Sequence, residues 1–600
     1  MSESEELKVQ KKEKIQNILW IKRMIPIWIC MLVGVIVLCR AWVGPFPPKW
    51  KMAVAIVLPF PVISLLGRVP WFYNWLISIE NFIVEWIKEL RNHNWKKTIL
   101  IIIADVFLAF VMERLMGFVA KGSITTGFNF RKAIFAFAIM ALVSIFMCYR
   151  NMLIKRVEMA VFFAVMLIGT VYVTVLPVSC GISWDDEAHF HNALMLSHTL
   201  DGRMTLGDAD ILNGFVDTAL EHNIYTEKAH QTWVDTINAD NASGVWGADG
   251  RIMPTLQNWC YIPSAIGLIL GRALSLPYSM IFVLGKWCNL LVYAILLYFG
   301  IKKLKSGKMI AAVVGMLPPC ILMASSYARD PWMIGFIMLG FCYFIGEIQE
   351  PDKKITIPDL VIMLGAFVLG VSPKAIYVPM VLIAAFLPKE KFATERQCKI
   401  FRICVLIATL AVLASFAIPF ILSSGGAVED TRGGSGVNAA GQTAYILHHP
   451  ITYAKTLFTF LWEYASLEAG QTYLSYLHYF GTAKYSLVLQ ALLLVTAFTD
   501  KEKCDTYVKW QPKVVTLLMS FGAICLAATA MYIAYTPLKS DTILGCQYRY
   551  MLQIMFPVLY VFGSIHVENN VRKDWYRGVI LGISSFVLLS AVWQLCISGF

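Results

Sequence analysis

The sequence predicts an all-α integral membrane protein with about 13 to 15 transmembrane helices and one large extracytoplasmic loop. Hydrophobic residues make up 58% of the 600 positions and charged residues only 15%, whereas roughly 25% of an ordinary soluble domain is charged. Apolar runs long enough to cross about 30 Å of hydrocarbon recur along the whole chain. The composition excludes a soluble protein. The net charge of +12 is typical of cytoplasmic loop anchoring and does not indicate nucleic-acid binding.

Each apolar run defines one predicted span, and short basic or Gly/Pro-containing joints separate them. The first run begins near Ile25 behind a polar N-terminus and lacks a small-residue cleavage site, so we expect a retained span and no signal peptide. The predicted spans are 25–42, 52–67, 99–119, 133–149, 157–177, 279–300, 309–324, 332–348, 358–371, 375–387, 401–422, 486–498, 514–535, 551–563 and 579–597.

Lysines and arginines in short loops set the predicted orientation, because cytoplasmic loops carry an excess of them. The cluster between Lys8 and Arg23 places the N-terminus in the cytoplasm. Counting spans from there puts four later clusters on the same side. These clusters are 150–156, 302–308, 389–399 and 572–577.

Two further apolar stretches are predicted to lie along the membrane. Counting 259–273 as a span would move the cluster at 302–308 to the outside, so we interpret it as a juxtamembrane or re-entrant helix on the outer face. The stretch 71–91 mixes tryptophans with charges and indicates an interfacial helix on the inner face.

The predicted organisation has four parts. They are a cytoplasmic tail (1–24), extra N-terminal helices (25–156), a transmembrane core (157–565) that includes the extracytoplasmic loop and juxtamembrane helix (178–278), and a C-terminal helix (566–600).

The longest polar stretch, residues 178–258, is strongly acidic. It holds twelve acidic residues, three basic residues and five of the ten histidines. A loop of this size can fold over the membrane surface, and loops carry a disproportionate share of binding and catalytic residues. We therefore expect the functional site to begin here.

The first helix of this loop is predicted within segment 183–191, which reads SWDDEAHFH and follows a span directly. Ser183 and Asp186 have the spacing of a capping box, and acids suit a first helical turn. Capping accounts for one or two acids. The three consecutive acids repel one another unless a cation or a reacting group uses them, and His189 and His191 follow on the same predicted helix. This pattern favours a functional site.

This acidic segment resembles a known membrane family. The residues from Asp185 to Phe190 are similar to the Asp-Glu-Pro-Ala-His-Phe element of the bacterial family called domain of unknown function 2142, and the resemblance covers roughly 157–565. The other similar segments are 326–330, 373–379 and 547–550. A tandem acidic pair just outside a span also resembles the signature of GT-C glycosyltransferases, multi-pass enzymes that take a sugar from a polyprenyl phosphate.

The resemblance implies a GT-C-like helical bundle in the cell membrane. It also implies inverting transfer of a sugar from an undecaprenyl-phosphate type donor to an extracytoplasmic glycan or lipid-linked acceptor, as in cell-envelope polysaccharide synthesis. Aligned on His189, Asp185 and Asp186 take the places of the family's two acids, while Glu187 replaces the usual proline and Tyr548 the usual glycine. These departures leave open which of the three acids is the base.

The predicted topology places the charged residues of these segments at the outer ends of spans, where they are able to meet. Such charges are costly at a membrane edge and indicate function, although lysine and arginine also snorkel to headgroups. Asp185 or Asp186 would take the proton of the acceptor hydroxyl. The other predicted site residues are Glu187, His189 and Asp330 as supporting acids or as metal or sugar contacts, and Arg549, Lys374 and Arg329 as lipid-phosphate-binding groups.

Metal dependence stays open. Asp186, Glu187 and His189 are the candidate ligands, since carboxylates suit Mg²⁺ or Mn²⁺, whereas His189 with His191 would admit zinc. Arginine or lysine can stabilise a leaving phosphate without a metal, and the planar fork of Arg549 makes it the preferred group.

Three other functions fit parts of the sequence. A transporter or flippase of lipid-linked saccharides would carry its charges near the membrane midplane, whereas these lie at one surface. A membrane zinc hydrolase would show an H-E-x-x-H helix, which the sequence lacks. A non-catalytic membrane subunit of envelope polysaccharide assembly stays open. The glycine-rich stretch 423–442 lacks a P-loop ending and is interpreted as a lid over the site.

Overall fold

The protein is described from a computed structural model. The described residues are 95–121, 128–176, 178, 183–198, 204–213, 227–243, 245–246, 255–422, 436–464, 466, 474–500, 508–563 and 569–594. The predicted spans before residue 95, the interfacial stretch 71–91 and most of the predicted lid lie outside them.

Helices make up nearly all of the described chain. They are α1 (Trp95–Lys121), α2 (Phe130–Lys155), α3 (Val157–Val175), α4 (Asp186–Ser197), α5 (Leu206–Asn213), α6 (Glu227–Ser243), α7 (Ile262–Ala273), α8 (Tyr278–Lys303), α9 (Lys308–Gly315), α10 (Pro318–Ala324), α11 (Asp330–Ile348), α12 (Ile357–Val371), α13 (Pro379–Leu382), α14 (Glu395–Leu422), α15 (Ala439–His448), α16 (Pro450–Tyr464), α17 (Ser486–Thr499), α18 (Trp510–Ala534), α19 (Leu552–Phe562) and α20 (Lys573–Val592). Two strands, β1 (Met204–Thr205) and β2 (Val245–Trp246), form a short antiparallel ladder in the acidic loop. Short 3₁₀ turns are Trp259–Tyr261, Ala375–Tyr377, Ile383–Phe386, Lys389–Lys391, His478–Phe480 and Tyr548–Met551.

Seven of the described helices are long and apolar enough to cross a membrane, namely α2, α3, α8, α11, α14, α18 and α20. Three shorter apolar helical segments, Ile357–Val371, Ala375–Phe386 and Ser486–Thr499, accompany them. An α-helix satisfies its own backbone hydrogen bonds, which is why long apolar runs take this form in lipid. The prediction of an all-α multi-pass membrane protein is confirmed.

The structure differs from the predicted spans in the form of two of them and in two additional helices. The predicted span 309–324 is two short helices, α9 and α10, because Leu317 is extended before the Pro318–Pro319 pair, and a proline disfavours helical geometry in the preceding residue. The predicted span 375–387 is a chain of short 3₁₀ and α turns. Helices α15 and α16 were not predicted at all.

The stretch 259–273 forms the 3₁₀ turn Trp259–Tyr261 and the twelve-residue helix α7. A helix of this length extends about 18 Å and is too short to cross the hydrocarbon core. It packs tightly against α8, where a Cβ atom on Gly267 would lie 2.6 Å from the carbonyl oxygen of Leu284. The geometry fits the predicted juxtamembrane or re-entrant helix.

The basic clusters after residue 149 converge at one end of the bundle. Arg577 Nη1 donates to the carbonyl oxygen of Ile154 at 2.9 Å, and Lys308 Nζ lies 3.5 Å from Glu158. The fully buried Glu347 joins the cluster 302–308 to the cluster 389–399 through ion pairs with Lys303 at 2.5 Å and Lys391 at 3.5 Å. Their sharing one end agrees with the predicted alternation of spans, and which side of the membrane it faces stays a prediction.

Candidate active site

A buried carboxylate lies at the start of α11, at the end of that helix opposite Glu347. Asp330 is its first residue and is 0% exposed. Its Oδ1 accepts a hydrogen bond from Gln553 Nε2 at 2.9 Å and lies 3.8 Å from Lys374 Nζ. Its Oδ2 accepts from Arg549 Nη1 at 3.2 Å. A buried charge needs such partners, because desolvation without them costs several kcal/mol.

Arg549 joins Asp330 to a second carboxylate near the start of the acidic loop. Its Nη2 donates to Asp185 Oδ2 at 2.6 Å and its Nε to Gln547 Oε1 at 2.6 Å. The Arg549 side chain is 2% exposed and that of Asp185 is 45% exposed. Burial favours the neutral form of Asp185, but Arg549 outweighs it and lowers the pKa of this carboxyl below 3.8. Asp185 is therefore an ionised carboxylate that solvent or a substrate can reach.

The backbone at Asp185 is unusual. This residue precedes α4 in the left-handed conformation, with φ 54° and ψ 29°, and its side chain makes no capping hydrogen bond. Aspartate is among the few residues that tolerate this geometry. The predicted capping box is wrong, because Ser183 Oγ bonds Ser326 Oγ at 2.8 Å instead of capping α4. The Asp185 carboxylate is thus left available to Arg549.

The two acids that follow Asp185 have different surroundings. Asp186 is 0% exposed, and its Oδ1 accepts the backbone N–H of Tyr327 at 3.0 Å. This bond ties α4 to the turn before α11. Glu187 is half-buried one residue further along. Among the described residues no three aspartates, glutamates, histidines or cysteines converge as metal ligands, so the predicted set of Asp186, Glu187 and His189 is not assembled.

His189 contacts Tyr261, the residue before α7. Its Nδ1 lies 2.8 Å from the hydroxyl of Tyr261, and the residue is 4% exposed. The Nε2 atom is buried and has no hydrogen-bond partner among the described residues. Burial, with the charges of Arg329 and Arg549 adding to it, lowers the pKa of His189 to about 3. The imidazole is therefore neutral at physiological pH.

Two more cations surround Asp330. Lys374 Nζ lies 4.2 Å from the ring centroid of Tyr550, and burial lowers its pKa to about 7. The side chain of Arg329 makes a single hydrogen bond to a described residue, from Nη1 to the carbonyl oxygen of Pro373 at 3.5 Å. Its Nε is buried without a partner in the described part of the chain. Arg329 is thus the cation of the site with most hydrogen-bonding capacity left for a ligand.

Sequence reasoning missed the residues that position these charges. Trp184 offers its ring to Arg549, with 5.4 Å from the guanidinium carbon to the centroid, and its carbonyl oxygen accepts Arg549 Nη1 at 3.4 Å. Gln553 was the detectable one, since a glutamine four residues after Arg549 in an apolar run shares its helical face. Gln547 lies in the segment 547–550 that resembles the family, but no role was predicted for it, and Tyr261 carried no recognisable signal.

The site has the chemistry for a reaction on an anionic substrate. Two carboxylates, Asp185 and Asp330, lie among three cations, and one of the carboxylates is accessible. These five groups were predicted to lie at the same ends of spans. In the structure, ion pairs link Asp185 to Arg549, Arg549 to Asp330 and Asp330 to Lys374, and Arg329 precedes Asp330 in the chain.

Fold and site together define an all-helical, multi-pass membrane protein with a cluster of buried ion pairs at one end of its bundle. A family model described as "Predicted membrane protein (DUF2142)" matches residues 166–559. The chain belongs to this family, and the match lies within the predicted core 157–565. No curated protein and no solved structure matches the chain significantly. The resemblance to GT-C enzymes stays a prediction.

Proposed function

We propose that this protein is a membrane glycosyltransferase that moves a sugar from a polyprenyl-phosphate donor to a hydroxyl of a glycan or lipid-linked acceptor. One observation carries the proposal. An accessible carboxylate, Asp185, lies 2.6 Å from a buried arginine at the end of a transmembrane bundle, where the phosphate of a lipid carrier would reach.

Asp185 is the general base of the proposed reaction. Its carboxylate takes the proton of the acceptor hydroxyl, and the acceptor oxygen attacks the anomeric carbon of the donor sugar. The bond between that carbon and the phosphate oxygen breaks, and the polyprenyl phosphate leaves with the electron pair. Attack on the face opposite the leaving group inverts the anomeric configuration.

The cations act on the leaving phosphate. Arg329 binds it first, because its guanidinium makes no ion pair with a described residue. Arg549 adds a fixed positive charge that is oriented before the reaction starts. Lys374, whose pKa burial lowers to about 7, adds to it when protonated. Asp330 is a positioning residue, because both its oxygens are already bonded and no solvent reaches it.

Donor binding would also make Asp185 a better base. Arg549 holds the pKa of Asp185 low in the free protein. A phosphate that draws on the same guanidinium weakens that ion pair, so the pKa of Asp185 rises towards the value that burial favours. The base would then be strongest with the donor in place.

The location of the charges favours an enzyme over a flippase. Asp185, Asp330 and Arg549 lie where α4, α11 and α19 begin, whereas transporters hold their ionisable groups near the midplane. A metal is not required by this scheme, since arginine and lysine supply the positive charge.

The direct test uses the purified full chain in lipid nanodiscs. Undecaprenyl phosphate carrying radiolabelled glucose, galactose or N-acetylglucosamine is added together with envelope glycans, and transfer of the label to the glycans is measured together with release of undecaprenyl phosphate. We expect turnover by the wild type and by Asp235→Asn, an exposed acid on α6, and none by Asp185→Asn. Equal turnover by Asp185→Asn and wild type would refute the proposal, and so would movement of the intact donor across a vesicle membrane without cleavage.

A further inference from the structure

A pocket lies at the end of α11 opposite Asp330. It has a volume of about 720 Å³ and opens between the first turns of α14 and α18. Ile348, the last residue of α11, lines it together with Leu387. Because α11 begins at Asp330, about 27 Å of helix separates this pocket from the candidate active site.

The charges of this pocket are predominantly positive. Its lining contains four cationic side chains and one acid: Lys389, Lys391, Arg402, Lys509 and Glu390. Lys389 and Lys509 are exposed and make no ion pair with a described residue. Arg402 donates its Nε–H to the carbonyl oxygen of Ala385 at 3.1 Å, which fixes the guanidinium at the wall of the pocket.

Lys391 has a different part in the same wall. It is 3% exposed, lies 3.5 Å from Glu347 and donates to the carbonyl oxygen of Glu350 at 2.6 Å. These contacts hold the turn Lys389–Lys391 against the end of α11. The two exposed lysines and Arg402 are therefore the groups that can receive an anion.

The rim of the pocket is apolar and exposed. Phe386, Trp510 and Val514 line it and are 49%, 68% and 42% exposed. Along α14, Ile403 and Leu406 continue this surface at 56% and 54% exposed. Tryptophan with nearby lysine is typical of the level of lipid headgroups. A ligand here would meet cations inside the pocket and hydrocarbon at its mouth.

We propose that this pocket binds an anionic phospholipid of the adjoining leaflet. The phosphate lies between Lys389, Arg402 and Lys509, and the acyl chains follow the exposed faces of α14 and α18. The volume suits a headgroup and is too small for a protein partner. A water-soluble anion would gain nothing from the apolar rim, whereas a lipid uses both features. This site is independent of the proposed sugar transfer.

The test counts lipids retained by the purified full chain. Protein is extracted from nanodiscs that contain either phosphatidylcholine alone or phosphatidylcholine with phosphatidylglycerol, and bound lipids are identified by native mass spectrometry. We expect the wild type to retain phosphatidylglycerol and not phosphatidylcholine. Lys389→Ala with Lys509→Ala should weaken retention by about fivefold for each lysine removed, the usual effect of one cation at an anionic surface.

A charge-matched control separates this site from general surface charge. Arg396→Ala with Lys399→Ala removes two exposed cations from the first turns of α14 outside the pocket, and retention should stay at the wild-type level. Lys389→Arg with Lys509→Arg should keep the lipid. Three results would overturn the proposal: equal loss of phosphatidylglycerol in the control pair, equal retention of phosphatidylcholine by the wild type, or complete displacement of the retained lipid by inorganic phosphate.

Discussion

The guanidinium of Arg549 lies 2.6 Å from the carboxylate of Asp185, although 364 positions separate the two residues in the chain. The pair links the start of the acidic loop to the turn before α19. One partner is 45% exposed and the other 2%. A substrate can therefore reach Asp185, whereas Arg549 and its other partner, Asp330, are closed to solvent. The first two predictions follow from this difference.

Asp185 and Asp186 are expected to respond differently to substitution. Asp185→Asn should abolish sugar transfer and leave the thermal unfolding temperature near that of the wild type, because this side chain is half exposed. Asp186→Ala should lower the free energy of unfolding by about 1–3 kcal/mol, because the buried N–H of Tyr327 loses its acceptor. Transfer assays and thermal unfolding in nanodiscs measure both effects. A stable but inactive Asp186→Ala protein would instead make Asp186 the base.

Arg549 and Asp330 should be strongly coupled in stability. Arg549→Gln leaves the fully buried Asp330 with only Lys374 and Gln553 as partners, so we expect a loss of about 3 kcal/mol. Asp330→Asn in the same chain removes the uncompensated charge and should recover part of that loss. Denaturant unfolding of the two single variants and the double variant gives the coupling energy. Additive losses would show that the two side chains do not stabilise each other.

The sequence predicted long apolar helices such as Val157–Val175 and Tyr278–Lys303, because their composition alone dictates a helix in lipid. Predicted spans differed from the structure where local chemistry overrode that rule. The Pro318–Pro319 pair broke one predicted span into two helices. The helix α16 was not predicted because polar and apolar residues alternate in it with helical periodicity and form no continuous apolar run. Two of its large apolar side chains, Ile451 and Trp462, are 86% and 75% exposed.

The site was readable only in part. Charges at the ends of spans are costly, so Asp185, Asp330, Lys374 and Arg549 stood out in the sequence. What could not be read was which acid faces which partner. Asp185, with its left-handed backbone, contacts Arg549, whereas Asp186 accepts the backbone N–H of Tyr327. No local helix or turn propensity predicts that division.

The acidic loop should show a pH dependence of its own. Burial and the neighbouring Asp240 carboxyl raise the pKa of Asp210 from 3.8 to about 6. The folded state therefore binds more protons than the unfolded state, and local stability falls as pH rises through this window. Amide hydrogen exchange in α5 and α6, corrected for intrinsic rates, should be slower near pH 4 than near pH 7.

Asp210→Asn should remove this dependence, because the amide does not ionise. Exchange in α5 and α6 would then be the same at both pH values, and protection near pH 7 would exceed that of the wild type. Unchanged pH dependence in Asp210→Asn would assign the effect to another group of the loop.

The close contact of α7 with α8 depends on Gly267. A Cβ atom there would lie 2.6 Å from the carbonyl oxygen of Leu284 and 2.7 Å from the Cα atom of Gly285. Both are backbone atoms, so the clash is relieved only if the helices separate. Gly267→Ala should lower the free energy of unfolding by about 1–3 kcal/mol, as overpacking does, and close glycine contacts are a common basis of helix packing in membranes.

Gly365→Ala is the matched control, since a Cβ atom in that helix meets nothing within 4 Å, and alanine favours the helix by about 0.5–1 kcal/mol. Denaturant unfolding in the same detergent compares the free energies of unfolding of the two variants. If Gly267→Ala were as stable as Gly365→Ala, α7 would not pack on α8 as described, and this packing would not be what holds Tyr261 against His189.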